Sequence, residues 1–414
     1  MQANTHDFRK LWLGQTISEV GSRVSREGLP MTAVLLLHAT PWQMGILSAT
    51  GTSAVLIFGL AAGVVADRMR RRPLMIFTDV ARAIVLMTVP VAALSGQLTM
   101  VQLLVVSALT GLLSVLFDVS YQAYLPTLIG KEALLEGNRK LAMSVAAAEI
   151  LGPGLTGVLI QLLTAPVAIL LDAVSFLVSA LSVAAIRQPE PYVKSASTGL
   201  PSRVELLEGL RVIRHNPMLR ALTLRTATAS LSGGFFMPLY ILFALRVLGL
   251  STVQLGVTIA LGGVGAITGA WVTRYLGERY PAGTVFFVSA FFMGTTVLCI
   301  PLAATFPESG LLFLCLAQFF GDGAYSFLNV SETTFRQRVV DEAVLGRANA
   351  VVQLASRGML PVGALLGGYL ADRGGITLTL WLGGVGYFLS SFWLLPLLRY
   401  VSPSGETMVH SKSI

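Results

Sequence analysis

The fold is decided by the stretch Gly59-Leu-Ala-Ala-Gly63-Val-Val-Ala-Asp67-Arg68-Met-Arg-Arg71-Arg72. Two small residues four positions apart, Gly59 and Gly63, predict that two helices pack closely inside a bilayer. The arginines that follow must lie outside the hydrocarbon core, and their positive charge predicts the cytoplasmic side. This segment therefore predicts a membrane span, its orientation, and an acidic side chain among cations at a helix end.

The composition is typical of a membrane protein. Of the 414 residues, 54% are hydrophobic and 12% are charged, whereas a soluble domain is roughly 25% charged. The net charge of +8 is spread between apolar runs, which indicates control of membrane topology and contact with anionic lipid rather than nucleic-acid binding. The two cysteines and four scattered histidines predict no metal site. Without a G-x-x-x-x-G-K-[ST] loop, we expect neither ATP drive nor an enzyme, and no cofactor.

Twelve apolar runs have the length of a membrane-spanning helix, about 20 residues. They lie near residues 11–37, 43–66, 73–95, 100–128, 141–163, 166–186, 217–245, 252–273, 282–304, 310–335, 348–371 and 376–398. We therefore predict an all-α membrane protein with twelve transmembrane helices in two pseudo-symmetric blocks of six. Most of the 29 lysines and arginines fall on one side of these spans, and the loops on the other side contain only Arg246 and Arg373. This distribution predicts that both termini are cytoplasmic.

The two blocks are related by a repeat. Phe117-Asp118-Val-Ser corresponds to Leu328-Asn329-Val-Ser, and the opening motif recurs weakly as Gly265-x-x-x-Gly269-Ala-Trp-Val-Thr273-Arg274. The predicted domains are an N-terminal half over 1–187, a cytoplasmic linker with an amphipathic helix over 188–216, a C-terminal half over 217–400 and a cytoplasmic tail over 401–414. We expect the linker helix on the membrane surface, with a mostly disordered linker as the alternative. Two six-helix halves joined by a linker are typical of a transporter whose binding cavity lies between them.

Charged side chains inside spans are functional candidates, because each costs roughly 2.5–3.5 kcal/mol to insert. Span one carries a polar stripe that we expect to line the central cavity. The candidate substrate-binding residues are Glu19, Arg23, Arg26, Tyr121, Arg225, Asp322, Asn329 and Arg357. The alternative is a structural ion-pair network, in which Arg225 and Arg357 neutralise Glu149, Asp322 or Glu332.

Three carboxyl groups within spans are candidates for proton coupling. They are Asp118, Glu149 and Glu332. A carboxyl group at membrane depth can load and release a proton during a transport cycle. Alternatively, Asp118 forms a hydrogen bond to a neighbouring helix and Glu149 contributes to packing.

A third group of residues is predicted to gate the cytoplasmic side. It comprises Gly63, Asp67, Arg68, Arg71, Arg72, Asp79 and Arg82. We expect Asp67 to pair with Arg68 or Arg71 and to contact the positive start of span eleven. Such a contact would hold an outward-open state and break during rocking of the two halves.

The segment Gly63-Val-Val-Ala-Asp67-Arg68-Met-Arg-Arg71-Arg72 resembles the loop signature of the major facilitator superfamily, G-x-x-x-D-R/K-x-G-R/K-R/K. Phe8-Arg-Lys-Leu-Trp12-Leu-Gly-Gln15 and Asp118-Val-Ser-Tyr121-Gln-Ala-Tyr124-Leu-Pro126 resemble the branch that contains macrolide-efflux proteins and the enterobactin exporter. The resemblance implies a proton-linked exporter of drug-like or siderophore-like small molecules. We expect a monomer in the bacterial inner membrane.

Three departures from the superfamily pattern bear on mechanism. Arg70 replaces the usual glycine of the loop, Thr273 replaces the acidic residue in the second copy, and span four lacks the arginine of many proton antiporters. The alternatives are a broad multidrug or macrolide pump, a lipid flippase, or a receptor that has lost transport.

Overall fold

The computed structural model describes residues 2–130, 132–188, 190, 203–276, 279–340 and 342–399, and it contains no strand within them. The α-helices are α1 (Gln2–Leu35), α2 (Pro41–Arg68), α3 (Arg71–Leu94), α4 (Met100–Ile129), α5 (Leu134–Leu163), α6 (Ala165–Ala184), α7 (Arg203–His215), α8 (Pro217–Gly234), α9 (Phe236–Leu242), α10 (Thr252–Leu276), α11 (Ala282–Leu302), α12 (Gly310–Val339), α13 (Glu342–Gly374) and α14 (Ile376–Ser390). A π-helical turn, Phe243–Val247, follows α9, and 3-10 segments cover Pro307–Ser309 and Ser391–Arg399.

In the described part of the chain, ten helical stretches are long and apolar enough to cross a bilayer. They are Arg71–Leu94, Met100–Ile129, Leu134–Leu163, Ala165–Ala184, Pro217–Val247, Thr252–Leu276, Ala282–Leu302, Pro307–Val339, Val344–Gly374 and Ile376–Leu398. The helices α1 and α2 have 34 and 28 residues but are not among the ten. In α1 the charged stripe lowers the hydropathy, and the count of twelve spans stays a prediction.

Several helices begin at residues whose side chains cap them. Thr40 and Gln43 form a capping box before α2, where each residue accepts a hydrogen bond from the backbone N–H of the other. The Asn216 side chain accepts hydrogen bonds from the backbone N–H groups of Met218 and Leu219 at the start of α8. These bonds satisfy donors that a helix start leaves without partners.

The chain divides into two compact units. Unit 1 comprises Met1–Leu200, Met237–Ala260 and Ala364–Ile376, and unit 2 comprises the remaining segments. In unit 1, α1 packs against α5 and α6, while α3 packs against α4 and α6. In unit 2, α11 packs against α12 and against Ser391–Arg399.

The close helix packing predicted at Gly59 and Gly63 is wrong for this conformation. A Cβ atom at either residue would meet no atom of the described residues within 4 Å. The close approach occurs instead near the start of α2, where a Cβ at Gly45 would lie 2.8 Å from the Ala364 carbonyl oxygen and 3.0 Å from Gly368 Cα. Small residues permit close packing, but the neighbour that lies opposite them is set by the tertiary fold.

The linker helix α7 belongs to unit 2 and packs against α13 through one of its faces. A Cβ at Gly209 would lie 2.5 Å from the Arg347 carbonyl oxygen, and Glu208 forms an ion pair with the Arg347 side chain. Ile213 is buried in an apolar cluster with neighbouring parts of unit 2. Leu207 and Leu210 remain exposed on another face of α7. Only this face is free to make the expected contact with the membrane surface.

Candidate functional site

The charged stripe of α1 meets α5 through an ion pair. The Arg23 guanidinium lies 3.1 Å from a carboxylate oxygen of Glu149. Gly152 permits this approach, because a Cβ there would lie 2.5 Å from Arg23 Cβ. The Glu149 side chain is 50% exposed, whereas that of Arg23 is 16% exposed. Hydrocarbon does not solvate a half-exposed carboxylate, so this group requires water or a polar ligand.

A second polar group lies beside α1 on α4. Asp118 is exposed and Tyr121 is half-buried, with the Tyr121 ring stacked on Phe117 at a centroid distance of 6.0 Å. Helix α4 packs against α1, which carries Glu19. Three helices of unit 1 therefore present one polar surface. We name it the unit 1 polar face, and it consists of Glu19, Arg23, Arg26, Asp118, Tyr121 and Glu149.

The structure places Asp79 and Arg82 in the interior of unit 1. Asp79 is fully buried and forms an ion pair with Arg82. The Arg82 guanidinium lies 4.0 Å from the ring centroid of Phe176 and 4.6 Å from that of Phe117. Two aromatic rings and a carboxylate thus replace the hydration of this cation. This position favours a structural role over the predicted membership in a gating network with Asp67.

Arg71 and Arg72 bind the ends of neighbouring helices. Arg71 donates a hydrogen bond to the Ala123 carbonyl at 2.8 Å, and Arg72 donates to the carbonyls of Val183 and Ala184 at 3.1 and 2.6 Å. A cation at the end of α6 also complements the negative end of the helix dipole. Their predicted gating role would have to break these contacts. Arg68 is exposed, while the side chain of Asp67 lies outside the described residues.

The sequence analysis missed two acidic residues that hold this end of unit 1. The Glu190 carboxylate accepts hydrogen bonds from the backbone N–H groups of Arg71 and Arg72, at 2.8 and 3.2 Å. Asp7 accepts hydrogen bonds from Lys10 and from the backbone N–H groups of Arg187 and Gln188. Burial by itself raises the pKa of Asp7, but these donors together lower it. Neither residue lies in a predicted span, so neither is among the intramembrane charges that the sequence marks as functional candidates.

In unit 2, Arg225 and Glu332 form a buried pair, with 3.6 Å between a guanidinium nitrogen and a carboxylate oxygen. Arg225 also contacts the Met293 sulfur at 3.7 Å, and the Tyr387 hydroxyl donates to the same sulfur at 3.4 Å. The cluster joins α8, α11, α12 and α14. It favours mutual neutralisation over the predicted substrate binding by Arg225, and it leaves Glu332 enclosed rather than open to a proton path.

The remaining predicted residues of unit 2 lie on α12 and α13. The Asp322 carboxylate packs against Gly262 on α10, where a Cβ would overlap it. Asn329 and Arg357 are exposed on α12 and α13. Exposed polar groups within candidate spans are expected beside water-filled space or polar ligands.

A further set of contacts in unit 1 lies at the end of α1 remote from the amino terminus. Arg246 donates hydrogen bonds to the carbonyl oxygens of Ala39 and Val34, at 2.9 and 3.1 Å. Arg373 stacks on Tyr369, whose ring meets Trp42 edge to face at 6.2 Å. We name Arg246, Arg373, Tyr369 and Trp42 the far-end latch. Its two arginines are the two exceptions in the charge distribution, which is the signal that sequence reasoning left unused.

Comparison with known proteins shows the family of the chain. Residues 3–409 match the family of transmembrane secretion effectors within the major facilitator superfamily. Macrolide efflux protein A of Streptococcus pyogenes is 23% identical over 405 residues, which cover 96% of this chain and 95% of that protein. The enterobactin exporter EntS of Citrobacter koseri is 26% identical over 347 residues, which cover 83% and 80% of the two chains.

Solved structures of transporters share the fold. A bacterial homologue of the iron transporter ferroportin, in an inward-facing state, superposes with a TM-score of 0.78 at 18% identity, over 95% of this chain and 99% of that one. The nucleoside transporter NupG superposes with a TM-score of 0.72 at 13% identity, over 95% and 99% of the two chains. The family match over residues 3–409 shows that the chain belongs to the transmembrane secretion effector family, whose members are multi-pass secondary transporters of the efflux class rather than enzymes.

Proposed function

We propose that this protein exports a small molecule from the cytoplasm across the bacterial inner membrane by alternating access. The proposal includes twelve spans, cytoplasmic termini, and halves over 1–187 and 217–400 joined by the linker over 188–216. The carrying observation is the unit 1 polar face. Exposed carboxylates and arginines at the depth of candidate spans are expensive unless they line a solvated path.

Contacts at the two ends of α2 support alternating access. Near its start, Gly45 packs against Ala364 and Gly368, and the far-end latch lies beside this contact. Toward its other end, Gly59 and Gly63 meet no described atom within 4 Å. Close packing at Gly45 and open space beside Gly59 and Gly63 are expected of a conformation closed to the outside.

The charges of the polar face bear on the substrate and on coupling. Glu19, Arg23 and Arg26 offer both signs of charge within two helical turns, which suits a substrate with several polar groups. The related exporters act on macrolides and enterobactin, so we propose a drug-like or siderophore-like substrate.

We propose Asp118 and Glu149 as proton carriers because both carboxylates are exposed on this face. Glu332 ranks below them because Arg225 neutralises it.

Transport into everted membrane vesicles under an imposed pH gradient tests this assignment, with a macrolide and enterobactin as probes. We expect Asp118→Asn and Glu149→Gln to reduce gradient-driven uptake by at least about tenfold, because a neutral amide cannot carry the proton. Glu136→Gln is the matched control, since Glu136 lies on the same helix as Glu149 but is exposed at its start and pairs with Lys140. Wild-type rates in both amide variants would refute the proton-carrier assignment.

The same vesicles separate the alternatives. A broad multidrug pump would also accumulate unrelated lipophilic cations, and a flippase would move a fluorescent phospholipid between leaflets. Absence of any gradient-driven uptake, with lipid movement intact, would favour the flippase over the exporter.

A further inference from the structure

Unit 2 contains a cavity of about 490 Å³ that no part of the proposed transport cycle uses. Helices α10 and α11 form its walls and α12 forms its floor. The side chains that shape it include Thr268, Val272 and Leu276 on α10, Ser289 and Phe292 on α11, and Phe320 on α12. This volume lies in the range of small-molecule sites, about 300–1,000 Å³.

The cavity exists because small residues bring two backbones together. A Cβ at Gly265 or Gly269 would overlap the backbone of Phe319 or Gly323, so α10 lies directly on α12. Helix α11 also packs on α12. A groove therefore remains between α10 and α11, lined mainly by apolar side chains.

The groove opens on the surface of unit 2, where we infer that it faces the hydrocarbon. All three helices are candidate membrane spans, and Val288 and Phe292 on its rim are 56% and 46% exposed. Eleven residues separate Gly265 from Leu276, which is about 16 Å along a helix. That length is about half of the roughly 30 Å hydrocarbon core. The groove therefore matches the depth of one leaflet, which favours one lipid tail over a molecule that crosses the bilayer.

Polar and positive groups mark one end of the groove. Tyr280 and Thr284 line that end, and the exposed Arg279 is adjacent to Tyr280 in the chain. Arginine and tyrosine at a membrane surface suit the phosphate of a lipid headgroup. Arg274 is also exposed, but it lies on the opposite side of α10 from Gly265, Val272 and Leu276 by helical periodicity.

We propose that this groove binds one anionic phospholipid, with an acyl chain between α10 and α11 and its phosphate at Arg279 and Tyr280. The occupant belongs to the leaflet that adjoins Tyr280. The site is independent of the polar face and of the direction of transport. A lipid bound in this groove would stay with the protein, whereas the lipids around the rest of its surface exchange freely.

Native mass spectrometry of the purified, delipidated full chain tests the proposal, with phosphatidylglycerol and phosphatidylcholine added separately. We expect one phosphatidylglycerol to bind at a concentration at least about fivefold lower than phosphatidylcholine, since one arginine near the headgroup contributes about that ratio. Arg279→Gln should remove this preference, and Arg274→Gln should retain it.

Two substitutions fill the groove from opposite walls. Thr268→Phe and Ser289→Phe should each weaken phosphatidylglycerol binding by about tenfold or more, because the added ring occupies the space of the acyl chain. Ile267→Phe is the matched control, since Ile267 is exposed on α10 and points away from the groove by helical periodicity. Thermal unfolding and size-exclusion chromatography verify that each variant is folded.

Three results would overturn the proposal. One is undiminished binding of phosphatidylglycerol in both folded groove-filling variants. Another is equal binding of phosphatidylcholine by the wild-type chain. The third is displacement of the lipid by a macrolide, which would assign the groove to an apolar substrate instead.

Discussion

At the scale of single residues, Arg82 shows how unit 1 holds a charge in its interior. Its guanidinium lies between Phe117 and Phe176, pairs with Asp79, and donates a hydrogen bond to Ser114. Spacing along α3 predicted that Asp79 and Arg82 are neighbours. It did not predict the two rings, because these come from α4 and α6.

Asp79→Asn and Arg82→Met should each lower the thermal unfolding temperature strongly, because breaking a buried ion pair costs about 3–5 kcal/mol. The double variant Asp79→Leu with Arg82→Met should unfold at a higher temperature than either single variant, since no unpaired charge remains. Differential scanning fluorimetry of the purified proteins measures this order. Single variants with unchanged stability but lost transport would instead support the predicted gating role.

At the scale of elements, α2 is closely packed at Gly45 and has open space beside Gly63. Gly45 and Gly63 are eighteen residues apart, which is five turns of 3.6 residues, so both lie on the same side of the helix. A Cβ at Gly45 would meet the backbone of α13, while a Cβ at Gly63 would meet no atom of the described residues within 4 Å. The same side of α2 therefore carries two glycines with different surroundings, one beside a neighbouring helix and one beside open space.

Substitution of these two glycines should have different consequences. Gly45→Val should lower the unfolding temperature, because its side chain would overlap Ala364 and Gly368. Gly63→Val should leave that temperature within about 1 °C of the wild type, since the described structure has space for it. We also expect Gly63→Val to reduce export, because an outward-open conformation must pack this end of α2. Transport at wild-type rates in Gly63→Val would contradict a role for Gly63 in gating.

The loop motif by itself identified the fold, but it did not predict which atoms its side chains contact. The arginines Arg71 and Arg72 follow the superfamily signature, yet their side chains bind carbonyl groups of α4 and α6. Every residue has a backbone carbonyl group, so no pattern of residue types shows which carbonyl an arginine will bind. Glu190 was missed for the same reason, because it binds backbone N–H groups.

At the scale of the whole molecule, the far-end latch accounts for the only two cations that the charge distribution placed in outer loops. Arg246 binds carbonyl groups at the end of α1 and just beyond it, and Arg373 stacks on Tyr369, which meets Trp42 at the start of α2. Under the proposed orientation, the latch would keep the outside closed and would have to open for release of the substrate.

Arg246→Gln should shift the conformational equilibrium toward the outward-open state by about tenfold, because it removes charged hydrogen bonds to two carbonyl groups. A membrane-impermeant thiol reagent can measure this shift on Gln122→Cys, introduced on α4 after both native cysteines are changed to serine. The reagent, applied from outside, should label the Arg246→Gln background faster. Arg139→Gln, an exposed arginine at the start of α5, is the control, and equal labelling rates in both backgrounds would contradict the latch.

The sequence by itself determined that this chain is an all-helical membrane protein of a transporter superfamily. Hydropathy, the side preference of positive charge and the loop motif are each properties of local sequence, because the bilayer acts on each segment separately. Only the tertiary structure decided which charged side chains pair with each other and which remain exposed. It paired Arg23 with Glu149 and Arg225 with Glu332, and it left Asp118 exposed. The physical reason is that an intramembrane charge takes its partner from whichever helix lies opposite, and helix neighbours are not encoded in spacing along the chain.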